Sequence, residues 1–87
     1  MTVHGEDRKM EIKILGPGCA RCQQLEKLVR QVVAEAGVAA DIEKVTDIKA
    51  IASYGVFTTP GLVVDGTVKS VGKIPRKEEI RDWLQAS

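Results

Sequence analysis

The hydrophobic period of this chain changes twice before residue 46, and that switch limits the folds open to it. In "MEIKIL", Ile12 and Ile14 alternate with Glu11 and Lys13, the pattern of a short half-buried strand. "GPG" breaks the run. From Ala20 to Ala36 the apolar positions Cys22, Leu25, Val29, Val32 and Ala36 then step by threes and fours. That is a helical stripe, widened by Leu28 and Val33 and stopped by Gly37. "VAADIEKV", Val38 to Val45, returns to strand. A strand, a helix and a second strand in sequence imply a parallel pair joined by a right-handed crossover.

The second half adds antiparallel strands. Thr46 or Asp47 is placed to cap a short helix with Ile48, Ile51 and Ala52 inward. "YGVFTTPG" reads as a loop. Asp-Gly between "LVV" and "TVKSV" marks a hairpin with a tight primed turn. Pro75 fits the first turn of a last helix, whose inward face is Ile80, Trp83 and Leu84. The expected architecture is α/β, with the order β-α-β-α-β-β-α and one mixed four-stranded sheet flanked by helices. Eighty-seven residues make one domain, over 10–87, with residues 1–9 as a flexible polar arm. His4 in that arm reads as a solvated side chain. The exposed edge strand could pair with another copy of the chain.

Charge and composition exclude several roles. Thirteen basic and twelve acidic residues leave a net charge of +1, which gives no general affinity for nucleic acid. Tyr54, Phe57 and Trp83 are the only aromatics, too few for a base-stacking platform. Trp83 is expected in the core; Phe57 is expected to line the groove near Pro60 or to fill the underside of its loop. No apolar run approaches the roughly 18 residues that insertion into a membrane needs. The N-terminus lacks a secretory apolar segment, so the expected location is the cytoplasm, where thiols are kept reduced.

In that setting the two cysteines, Cys19 and Cys22, call for a chemical reading. A bond between them would close too small a ring to stabilise the fold much. At a spacing of i, i+3 on the first turn of a helix they lie on one side and come close enough to bond. Cys19 falls beside the unpaired N–H groups of the helix start, where the dipole favours a thiolate, and Arg21 adds a positive charge nearby. Cys22 lies on the apolar stripe and should be covered. An exposed thiolate and a shielded partner suit thiol–disulfide exchange: Cys19 attacks, and Cys22 resolves the mixed disulfide. Gly16, Pro17 and Gly18 provide a tight, open loop for substrate approach, so Gly18 and Arg21 count among the residues expected to meet substrate.

The pattern of a strand, "GPGCARC", a helix, then "YGVFTTPGLVVDG", "VGKIP" and a final helix resembles the thioredoxin-like superfamily. Within it the chain is most similar to the small redox-active disulfide proteins, over Met10 to about Leu84. The resemblance implies a cis proline at Pro60 packed against the cysteines, with Thr59 pairing its backbone to an extended substrate segment. It also implies Cys19 as nucleophile and Cys22 as resolving thiol. Thioredoxins often carry Trp before the motif and Gly-Pro within it, whereas here Gly18 precedes it and Ala20-Arg21 lie inside. They also bury an Asp about six residues before the first cysteine, where this chain has Lys13. Glu43 on the second strand is a candidate substitute as proton acceptor, although a solvated strand side chain is its preferred reading.

The expected function is therefore thiol–disulfide oxidoreduction, with protein-disulfide reductase-like activity. Its partners would be a protein or small-molecule disulfide and a reductase or other dithiol donor. No cofactor is expected beyond the Cys19–Cys22 disulfide. The alternative is a soft-metal carrier that holds Cu(I) or Zn²⁺ with the same two thiolates. It is weakened by the lack of a second C-x-x-C or a His pair.

Overall fold

Strand β1 (Met10–Leu15), helix α1 (Ala20–Ala36) and strand β2 (Ala40–Val45) lie where the changes of hydrophobic period place them. The order continues with α2 (Ile48–Ser53), β3 (Gly61–Val64), β4 (Thr67–Val71) and α3 (Lys77–Gln85). The structure, a computed structural model, describes residues 10–18 and 20–85. The expected arm over residues 1–9 lies outside the described residues. The four strands run in the order β2-β1-β3-β4. β1 pairs in parallel with β2, from Met10 opposite Ala40 to Leu15 opposite Val45, and its other edge pairs antiparallel with β3. β4 returns antiparallel to β3. This is the mixed sheet that a βαβ unit followed by a hairpin requires.

Two layers of side chains hold the helices to the sheet. On one face Ile12, Ile14, Leu62 and Val64 meet Leu25, Val29 and Val32 of α1 and Ile80 and Leu84 of α3. On the other, Leu15 and Val63 meet Ile51 of α2 and Val56. Because both faces of β3 are covered, "LVV" is apolar without alternation. Leu25, Val29 and Val32 are fully buried, each stabilising the fold by about 1.5–3 kcal/mol. Their spacing fixes α1 rigidly along the sheet.

Local chemistry closes the hairpin. Asp65 and Gly66 both take positive φ, 50° and 84°, as a primed two-residue turn demands. The Asp65 carboxylate also accepts a hydrogen bond from the Glu11 N–H at 2.8 Å, and its own N–H donates to the Glu11 carbonyl at 2.7 Å. The turn is thereby fastened to the start of β1.

Three elements depart from expectation. β2 begins at Ala40, two residues after Val38. Ile48 is 66% exposed, not inward; a helix of six residues turns only Ile51 fully into the core, and Ala52 is half-buried. Asp47 occupies its N-cap position without a side-chain capping bond. Pro75 precedes α3 by two residues and is not in its first turn. Glu79 explains the later start: its carboxylate accepts the Arg76 N–H at 2.9 Å, half of a capping box. Trp83 is half-buried at the margin of the larger core. Among the described residues, no helix is long and apolar enough to cross a membrane.

Candidate active site

The topology gathers four chain segments at one end of the sheet. β1 ends at Leu15 and β4 at Val71, β3 begins at Gly61, and α1 starts immediately after the loop that follows β1. Gly16 donates its N–H to the Val45 carbonyl at 2.9 Å, so it extends the β1–β2 pairing by one residue. Gly72 donates to the Pro60 carbonyl at 2.8 Å and accepts a longer bond, 3.4 Å, from the Arg21 guanidinium. A Cβ on Gly72 would stand 2.8 Å from Thr58 Cγ2, so the loop after β4 lies directly against the loop before β3. These bonds tie the first turn of α1 to the segment containing Thr59 and Pro60.

Cys22 stands in the first turn and a half of α1, on the same stripe as Leu25, Val29 and Val32, and is 5% exposed. Its sulfur occupies the space beside Gly16 where a side chain would otherwise begin: a Cβ there would collide with Cys22 Sγ. The same point lies 3.7 Å from Thr59 Cβ, so Cys22 and Thr59 approach Gly16 together. On the β2 side a shallow pocket, lined among others by Ile14, Gly18, Glu26, Lys44 and Thr46, reaches Cys22. Gly18 has φ +98°, a conformation that L side chains rarely adopt, and this lets the chain turn sharply from strand to helix. Its carbonyl accepts a bond from Gln23 Nε2 at 3.4 Å.

Across the site, the Thr59–Pro60 peptide bond is cis. Pro60 is buried and Thr59 half-buried. The Thr59 N–H and carbonyl make no hydrogen bond among the described residues. Phe57, two residues earlier, is 83% exposed and so does not fill the underside of the loop.

The charges near Cys22 differ from those expected. Glu43 is bound to Lys13 Nζ at 2.7 Å, in the directly opposed position on the neighbouring strand. That hydrogen bond holds the Lys13 ammonium above its ordinary range. Lys13 alternates with Ile12 and Ile14 and therefore faces the α2 side, whereas α1 and Cys22 cover the opposite face. Glu43 is thus on the wrong face to take a proton from Cys22, which rules out the substitute role and leaves the solvated strand side chain of its preferred reading. Glu26 is the carboxylate that shares a pocket with Cys22. It is held by Arg30 at 3.0 Å and Lys44 at 3.4 Å. The Arg30 hydrogen bond leads in keeping its carboxyl below the usual range.

Of the residues expected to form the site, Gly18, Arg21, Cys22, Thr59 and Pro60 come together at this end of the sheet. Cys19, the expected nucleophile, lies outside the described residues. Sequence reasoning missed Gly16 and Gly72. The sequence reading takes Gly16 only as part of the tight, open loop that joins strand to helix and lets substrate approach. A small residue immediately after a strand and three before a cysteine was the available signal, but nothing in the sequence distinguishes empty space from space filled by a distant atom.

Comparison with known proteins follows the same outline. A family model described as a thioredoxin domain matches residues 10–85. A protein named thioredoxin from Methanothermobacter thermautotrophicus (strain Delta H) is 46% identical over 75 residues, spanning 86% of this chain and 97% of the relative. Another protein named thioredoxin, from Methanocaldococcus jannaschii, is 44% identical over 75 residues, 86% of each chain.

Proposed function

The chain belongs to the thioredoxin-domain family, and from that premise we propose that it is a thiol–disulfide oxidoreductase acting through Cys19 and Cys22, in the cytoplasm. The observation that carries the reading is the seat of Cys22: a covered sulfur against Gly16, beside Thr59, whose backbone polar groups have no partner among the described residues. In the forward direction the Cys19 thiolate attacks one sulfur of a substrate disulfide and the other sulfur leaves as thiolate. Cys22, on losing its proton, attacks Cys19; the Cys19–substrate bond breaks as the Cys19–Cys22 bond forms. The substrate gains two electrons and its two thiolates take up protons, while the protein dithiol is oxidised. A reductase or another dithiol then restores it.

Protein disulfides suit the surface better than small ones. Thr59 offers an N–H and a carbonyl to an extended segment, which is recognition by strand addition. Exposed Phe57 lies along the same loop and would meet an apolar side chain of that segment. The test is a pair of variants assayed on a protein disulfide. Cys19→Ser should abolish reduction, and Cys22→Ser should accumulate a mixed disulfide that thiol-specific mass spectrometry detects. Reduction persisting in Cys19→Ser would overturn the assignment.

A further inference from the structure

We infer that Gly16 is a positioning residue for the resolving sulfur: the missing side chain at the end of β1 is the seat that fixes where Cys22 Sγ stands. The inference rests on the redox reading above for its consequence, but not for its geometry. Gly16 is outside the left-handed region that the other turn glycines occupy, so its backbone would accept an L-residue without strain. What excludes a side chain is a single neighbour. A Cβ would collide with Cys22 Sγ, whereas Cys22 Cβ at 3.3 Å would have to give by only a few tenths of an ångström and Thr59 Cβ at 3.7 Å is in ordinary contact.

Both walls of the seat are fixed. Gly16 is held by its hydrogen bond to Val45 and follows Leu15, which is fully buried. α1 cannot retreat, because Leu25, Val29 and Val32 anchor the same stripe at 0% exposure. The soft coordinate left is the Cys22 side-chain torsion, which in a helix has few alternatives. A methyl at residue 16 therefore turns the sulfur out of its seat beside Thr59. Attack of Cys22 on Cys19 needs the two sulfurs close and aligned, so this rotation obstructs closure of the intramolecular bond and release of substrate. The first attack, by Cys19, does not use the seat.

A double-mutant cycle on reduced protein tests the geometry: wild type, Gly16→Ala, Cys22→Ala and the double variant, each melted thermally. Gly16→Ala should lower Tm by about 5 °C or more in the wild-type background and by less than half as much when the sulfur is absent. If Gly16→Ala does not fold but the double variant does, the coupling is equally supported. Equal losses in the two backgrounds, or failure of both to fold, would overturn the inference. A second arm reads the chemistry. With a peptide disulfide-linked to Cys19, Gly16→Ala should slow release by about ten- to a hundredfold. Alkylation of Cys19 should stay within about twofold of wild type. Release at the wild-type rate would overturn the positioning role. The arms fail separately: turnover persisting in Cys19→Ser would sink the redox reading and leave the melting cycle standing, whereas absence of coupling would sink Gly16 alone.

Discussion

The two ends of the sheet are built from similar small and polar residues and use them in opposite ways. At the hairpin end, Asp65 and Gly66 satisfy their turn and then bind the backbone of Glu11, so the polar groups are spent within the fold. At the other end, Gly16, Thr59, Pro60 and Gly72 bring three loops against the start of α1. There the Thr59 backbone finds no partner among the described residues, and Phe57 and Val71 remain 83% and 45% exposed. One end closes the structure on itself. The other leaves backbone and apolar groups unused by the fold, and that contrast supports the proposed site independently of the cysteine motif.

Three comparisons would sharpen or break this contrast. The largest effect is expected from a pair of glycines. Gly18→Ala and Gly66→Ala each place an alanine at positive φ and should each cost about 1–2 kcal/mol in urea unfolding. Only Gly18→Ala should also slow disulfide reduction; equal slowing by both would erase the difference between the ends. Asp65→Ala removes the acceptor of the Glu11 N–H and should cost about 1 kcal/mol with turnover unchanged. Phe57→Ser is the converse: stability within about 0.5 kcal/mol of wild type, but KM for a protein disulfide raised several-fold and that for a small disulfide unaltered. A matching rise for both substrates would remove Phe57 from the binding edge.

The smallest effect concerns Glu35, which lies in neither end. Lys77 leads, with Gln31 and Arg81, in holding its carboxyl below the usual value. A depressed carboxylate contributes stability above about pH 4.5 and loses it as pH falls through the lowered folded-state value. Glu35→Gln should therefore flatten the acid limb of the Tm–pH curve slightly, by an amount that salt reduces. Glu26 should behave with the same sign, and Lys13 with the opposite one, losing its contribution only above about pH 10.5.

Much of the architecture was legible because it depends on local periodicity. The stripe from Cys22 to Ala36 ends at Gly37, whose N–H donates to the Val33 carbonyl, and Asp-Gly makes the hairpin because only such residues take its dihedrals cheaply. The failures were equally local in cause. Ile48 shares the Ile51 side of a helical template, but it is the first residue of α2 and remains 66% exposed. Pro75 looked like a helix start until Glu79 capped Arg76 instead.

The site divides in the same manner. Spacing alone put Cys22 on a buried face and a turn at Gly18, since both follow from helix and strand geometry within a few residues. Glu26 follows Cys22 by four residues on α1 and shares its side by helix spacing alone, whereas the removal of Glu43 to the other face, and the space that Gly16 yields to the sulfur, depended on strand pairing and on the turn between β1 and α1. The pleat of the sheet sends Glu43 to the α2 face, while Glu26 stays beside Cys22 on α1. Residue types set local dihedrals and burial preference, whereas proximity across the sheet's end arises only when the strands pair in register and the helices dock, and it is there that Gly16, Cys22 and Thr59 acquire a common point.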